Sequence, residues 1–230
     1  MTRVAVMQPY FFPYLGYLQL LDAADVFVVY DDVQFIKGGW INRNFIQLNR
    51  EPHRISLALG GASANKLINQ IDVVDEGVKL RKTVAMAYAR APRLDQGLAI
   101  LDDTLSTRER NLGSFLGASI ENLAATLRAD VDVVYSSAMD YDRTLTGQAR
   151  LLGLLESLGA TQYTNSAGGR ALYDADSFAA RGIALSFLDS QPPPYRQFDD
   201  TFIPGLSILD SFMFEDAAVV AGWMGSYELS

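Results

Sequence analysis

The chain has 230 residues, 49% of them hydrophobic, with no cysteine, one histidine and a formal net charge of −8. That is enough apolar material to bury a core unaided. The composition excludes a disulfide frame, a thiolate nucleophile, a sulfur-ligated metal and a multi-histidine metal site, and the acidity argues against broad contact with nucleic acid while leaving room for a local basic pocket. No run of eighteen apolar residues suggests a membrane span, and MTRVAVMQP lacks the pattern of a signal peptide, so a soluble cytoplasmic protein is expected.

In chain order, Arg3–Met7 (RVAVM) reads as a buried strand ending at Gln8-Pro9. Pro13 suits a helix start, and Tyr14, Tyr17, Leu18, Leu21 and Ala24 recur on one helical face. Asp25–Tyr30 (DVFVVY) is a second strand, ending in Asp31-Asp32. Phe45–Leu48 and Arg54–Leu59 flank NREP as a hairpin or strand pair. Residues 77–128 read as helix in about three pieces, broken near Pro92 and at TRERN. Asp132–Tyr135 (DVVY) is another buried strand, closed by Ser136-Ser137. Thr146–Leu158 reads as an amphipathic helix stopped by Gly159. Gln162–Thr164 starts a strand broken by Asn165–Gly169, Asp176–Arg181 is a short helix, and Ile183–Leu188 is a sixth strand. Alternating strands and helices, without repeats or low-complexity linkers, predict one α/β domain over 1–230, with an open, mostly parallel sheet and a helical insertion at about 77–128.

Ligands of such sheets bind at the carboxyl ends of the strands. Four predicted strands end in polar groups: Gln8, Asp31 with Asp32, Ser136 with Ser137, and Asn165 with Gly168 and Gly169. Neither G-x-G-x-x-G, a Walker loop nor G-x-S-x-G is present. Gly16 would allow a ligand or backbone to approach a helix N-terminus. Tyr10, Tyr14 and Tyr17 fill the first loop and helix start. Tyr14 and Tyr17 are either core residues or hydroxyl donors to a ligand, and these readings are compatible. In Lys37–Asn44 (KGGWINRN), Arg43 suits a phosphate or carboxylate and Trp40 a base or sugar ring, with Lys37, Asn42 and Asn44 beside them. Anion and ring recognition is preferred there over a solvated loop. Of Asp31 and Asp32, strand alternation admits one to a site, and no metal constellation surrounds them. His53 is structural or a base. Asp210, in an apolar run, needs a partner such as an arginine or backbone N–H groups, for structure or for function.

The stretch FFPYLGYLQLL, residues 11–21, resembles the HxGH signature of the nucleotidylyltransferase superfamily, with Tyr14 and Tyr17 at the two histidine positions and Ser136-Ser137 resembling its later loop. A phenol is neutral at pH 7 and cannot supply an imidazolium's charge, so the resemblance implies a Rossmann-like fold more than adenylyl transfer. MQPYFFPYLGYLQLLDAADVFVVYDDVQFIKGGWINRN, YSS at 135–137, LGATQYTNSAGGRALY at 158–173 and LSILDSFMF at 206–214 together resemble the WbqC-like family. That resemblance implies amide formation, by acyl or aminoacyl transfer, on an amino sugar or related amine in the making of bacterial surface polysaccharides or natural products.

The leading expectation is therefore such a transferase. Its small-molecule substrate would include a nucleotide-linked amino sugar, and its donor an activated acyl group carried by a nucleotide-containing molecule or an aminoacyl-tRNA. His53 or Asp32 would serve as base and Lys37 and Arg43 would stabilise negative charge. Nucleotidyl transfer and non-catalytic ligand binding are the alternatives.

Overall fold

The computed structural model describes every residue of the chain except Asp75 and Asp200. In chain order the strands and helices begin with β1 (Arg3–Met7), α1 (Leu15–Asp22) and β2 (Val26–Val29). Then follow β3 (Arg43–Leu48), β4 (Glu51–Ser56), β5 (Leu59–Gly60), β6 (Asp72–Val73), α2 (Val78–Ala87), α3 (Leu94–Leu105) and α4 (Leu112–Thr126). The remainder is β7 (Asp132–Tyr135), α5 (Gly147–Ser157), β8 (Gln162–Ser166), α6 (Ala175–Ala179), β9 (Ala184–Ser190), α7 (Ile208–Phe214), α8 (Ala217–Gly222) and β10 (Tyr227–Leu229).

Six strands form one sheet in the order β10-β9-β8-β1-β2-β7, all parallel except the antiparallel edge strand β10. Period-two alternation gives the sheet two apolar faces. Ala5, Phe27 and Val29 face a core built with α1, α4 and α7, while Val4, Val6, Val28 and Tyr163 face α5 and α6. This is an open, Rossmann-like α/β fold. The strand order reverses between β1 and β8, where such sheets open a crevice for ligands. No helix among the described residues is long and apolar enough to cross a membrane.

Local chemistry explains most boundaries, and several strands differ from the expectation. DVVY is the exposed-edge strand β7, half-buried instead of fully buried, because no further strand covers it. β8 continues through Asn165 to Ser166, since pairing with Phe187 and Leu188 of β9 keeps those residues in the ladder. β3 and β4 form a hairpin whose two-residue turn, Asn49-Arg50, has both φ angles positive, at 52° and 68°. That turn matches the twist of the paired strands. It also moves His53 out of the bend and into β4, opposite Ile46.

The aromatic loop after β1 is held from three sides. Phe11 and Phe12 are fully buried. Phe12 sits at φ 42°, a left-handed conformation that costs a non-glycine residue about 1 kcal/mol. The Asn44 amide donates to the carbonyls of Phe11 and Phe12 at 3.2 and 2.6 Å, and the Ser207 hydroxyl donates to Phe12 O at 2.9 Å. The Ile208 N–H donates to Pro13 O at 3.0 Å. The hairpin and α7 thus fix the loop that leads from β1 to α1.

Candidate functional site

β2 ends at Val29, and the Asp31 N–H bonds back to Val29 O at 3.0 Å. The chain has left the strand pleat there, so alternation no longer separates Asp31 from Asp32. Both are buried, and both carboxylates meet Ser136 Oγ, at 3.0 and 2.6 Å. Alternation therefore does not choose between the two carboxylates. Ser137 donates its hydroxyl to Asp31 Oδ2 at 2.6 Å and its N–H to Oδ1 at 2.9 Å. The carboxyl ends of neighbouring strands β2 and β7 are thereby locked together.

Asp32 also gathers two cations. Arg143 Nε donates to Asp32 Oδ2 at 2.9 Å, and Arg143 Nη2 donates to the carbonyls of Ser136, Ser137 and Met139. Arg150 Nη2 lies 3.0 Å from Asp32 Oδ2 and donates to Asp32 O and the Tyr141 hydroxyl. The Tyr141 hydroxyl in turn donates to Asp32 at 2.9 Å. Burial disfavours the Asp32 anion, but the hydrogen bonds from Ser136, Arg143 and Tyr141 and the charge of Arg150 outweigh it and hold the carboxyl below the usual aspartate range. An ionised carboxylate clamped this way orients arginines. It is a poor proton acceptor.

The two arginines form part of the wall of a cavity of about 630 Å³, together with Val6 of β1, Tyr163 of β8, Tyr30 and Tyr173. These residues place it at the crevice between β1 and β8, on the α5 face. The N-terminus of α5 opens into the same cavity at Thr146, Gly147 and Gln148, and no side chain caps its first turn. Free N–H groups there attract anions. Arg150 Nε is buried without a hydrogen-bond partner among the described residues, and buried donors normally have one. The Arg150 guanidinium lies 5.4 Å from the Tyr30 ring centre, and burial pushes the Tyr30 hydroxyl up to about 12, so it stays a neutral donor.

The comparisons with known proteins bear on the same span. A model of the WbqC-like protein family matches residues 8–221. The chain belongs to the WbqC-like family. It is 25% identical over 214 residues to the uncharacterized protein Rv1507c of Mycobacterium tuberculosis, across 91% of this chain and 92% of that protein. No solved structure matches.

In this WbqC-like chain the residues expected at a site fall into three groups. Asp32, Ser136 and Ser137 form the clamp behind the cavity. Asn165 and Gly169 stand behind its far wall: Asn165 Nδ2 donates to the Tyr173 hydroxyl at 2.9 Å, and a Cβ on Gly169 would come within 2.9 Å of that amide nitrogen. Gly168 is exposed. Tyr10, Tyr14, Trp40 and Asn44 line a separate hollow of about 230 Å³ beside the first loop. Lys37 is exposed nearby in sequence, and Arg43 is half-buried.

The remaining expected residues line neither the cavity nor the hollow. The Tyr17 hydroxyl donates to Gln8 O at 2.9 Å inside the core. Gly16 admits Ser190, whose Oγ would lie 2.8 Å from a Cβ there. What approaches the helix start is a protein side chain. Asn42 donates to Leu57 O at 2.9 Å. His53 is exposed on β4 and lines neither the cavity nor the hollow. Among the described residues Asp210 has no arginine partner. Tyr88 and Tyr195 donate to it, both at 2.6 Å, and Gln197 at 2.8 Å.

Sequence reasoning missed Tyr30, Tyr141, Arg143, Arg150 and Tyr173. One signal was present. Arg150 is the fourth residue of α5, where the helix dipole disfavours a cation, so its position called for a nearby carboxylate.

Proposed function

We propose that the protein is a transferase that holds a nucleotide-linked amino sugar in the 630 Å³ cavity and forms an amide on the sugar's amine. The reading rests on one observation above the others: two guanidiniums and an uncapped helix N-terminus share a tyrosine-lined cavity at the switch in strand order. A diphosphate suits Arg143, Arg150 and the α5 N–H groups. Tyr30 and Tyr173 suit the ring-bearing ends. In the reaction the amine nitrogen attacks the carbonyl carbon of an activated acyl donor. The C–N bond forms, the bond to the leaving group breaks with its electron pair, and the amine proton passes to solvent or the leaving group. Asp32 acts as a positioning residue for the arginines. The product would serve surface-polysaccharide or natural-product synthesis.

Mass spectrometry of a UDP-linked amino sugar, incubated with the protein and acyl-CoA, aminoacyl-tRNA or ATP with an amino acid, tests this directly. A gain equal to one acyl or aminoacyl group is expected with one donor. Tight binding of the sugar nucleotide with no mass change under any donor would leave a binding protein instead. Calorimetry with the same sugar nucleotide should show Arg143→Ala weakening affinity about ten- to hundredfold, the range expected for a lost charge-assisted hydrogen bond.

A further inference from the structure

A second set of groups suited to a nucleotide lies on the other side of β1. The hollow beside the first loop is walled by Tyr10, Tyr14 and Trp40, with Asn44 and Gly205 completing it. Tyr14 and Trp40 are 40% and 45% exposed, in a chain that buries most of its large aromatic rings. Asn44 is held rigid by its two donated bonds and by the Phe45 N–H, which donates to its side-chain oxygen at 2.8 Å. Trp40 is braced by the edge of Phe45, with ring centres 5.7 Å apart. The hollow thus has a fixed stacking surface and room for a single ring system.

The hairpin face that carries Phe45, the brace of Trp40, also carries cations. In the β3–β4 register Arg54 stands opposite Phe45, and Arg43 lies two residues along on the same face. Neither they nor Lys37 makes an ion pair among the described residues, whereas eight other arginines do. Residues 37–93 contain ten of the 19 Lys and Arg and four of the 27 Asp and Glu, so the segment carries +6 and the rest of the chain −14. In so acidic a protein, a concentrated positive region with exposed aromatics has the chemistry of a phosphate-and-base surface.

We propose that this hollow and the outer face of the hairpin form a second nucleotide-binding site. A base stacks among Tyr10, Tyr14 and Trp40, and the attached phosphates lie on Arg43, Arg54 and Lys37. The site itself follows from these groups alone. Its occupant, the nucleotide tail of the acyl donor, rests on the transferase reading. Val6 lines the first cavity and Tyr10 the hollow. Gln8 lies between them in sequence at the end of β1, half-buried, and its side-chain amide makes no hydrogen bond among the described residues. Donor and acceptor would therefore meet across the carboxyl end of β1.

Trp40 is one of two tryptophans, so Trp223→Phe leaves it as the sole indole reporter. Titration of that variant with coenzyme A, AMP and a short single-stranded RNA ending in CCA should give saturable quenching with at least one. Calorimetry on the unmodified chain covers the case in which the variant does not fold. Arg43→Ala with Arg54→Ala should weaken that binding about tenfold or more and flatten its salt dependence. Affinity for a UDP-linked amino sugar should stay unchanged. Tighter binding of coenzyme A identifies a thioester donor, and tighter binding of the RNA end an aminoacyl-tRNA donor. No binding of any of the three probes, or binding unaffected by the double substitution, overturns the proposal. The measurement needs no turnover, so it stands or falls independently of the transferase assay.

Discussion

Asp32→Ala is expected to destabilise the protein by about 3 kcal/mol and to abolish ligand binding in the cavity. The carboxylate is 4% exposed and accepts from Ser136, Tyr141 and Arg143, with Arg150 paired to it at 3.0 Å. Its removal leaves a largely buried guanidinium without a counter-charge and the Tyr141 hydroxyl without its acceptor, while Ser136 keeps Asp31. Breaking a buried pair costs about 3–5 kcal/mol; the low end applies here because the Arg143 side chain is substantially exposed. Asp32→Asn keeps the shape but turns a donor toward donors, and should lose somewhat less. The pH dependence has a definite sign. Because the folded carboxyl is held below its ordinary value, its contribution is complete above about pH 4 and is lost as the pH falls through the lower folded value. Urea unfolding from pH 7 down to pH 3 should therefore show the gap between the protein and Asp32→Asn narrowing toward acid. A gap independent of pH would contradict the clamp.

The sheet and its polar carboxyl edge were legible in the sequence because both depend on short-range pattern. RVAVM and DVFVVY are apolar runs of strand length, and the polar residues that follow them mark the carboxyl edge. Three helices between residues 77 and 128 were legible from their breaks at Pro92 and TRERN, which fall between α2, α3 and α4. The clamp was not legible, since Arg150 reaches the Asp32 carbonyl from 118 residues away, and an arginine on an amphipathic helix otherwise reads as solvated. Gly16, Tyr17, Asn42 and Asn44 were all plausible ligand groups by type. Packing decided their use: Ser190, the Gln8 carbonyl, the Leu57 carbonyl and the first loop occupy them. Residue type indicated which polar groups were available but not which of them the fold would consume.

Asp210→Ala should cost about 3 kcal/mol, for a different reason from Asp32. This carboxyl is fully buried in α7 and, among the described residues, is paired with no cation. Truncation takes the acceptor from the hydroxyls of Tyr88 and Tyr195 and one of two acceptors from the Gln197 amide, each loss worth about 1 kcal/mol or more, and opens a small void. Asp210→Asn should cost about 1 kcal/mol or less at pH 7. Burial pushes the Asp210 carboxyl above the ordinary range, and the hydrogen bonds from Tyr195, Tyr88 and Gln197 draw it only part of the way back. The folded state therefore retains a proton that the unfolded chain has released. Stability from this group is greatest below about pH 4, falls as the pH rises toward the raised folded value, and stays reduced above it. Asp210→Asn should gain on the unmodified protein as pH rises through that window, opposite to the behaviour at Asp32. The same network ties α2, through Tyr88, and α7 to the segment bearing Tyr195 and Gln197, and Gly205 in the hollow lies just beyond that segment. Hydrogen exchange in Asp210→Ala should accelerate at residues 195–199 and 201–205 while β1, β2 and β8 stay protected. Unchanged exchange there would mean that Asp210 anchors α2 alone, leaving the hollow's geometry to Asn44 and the hairpin.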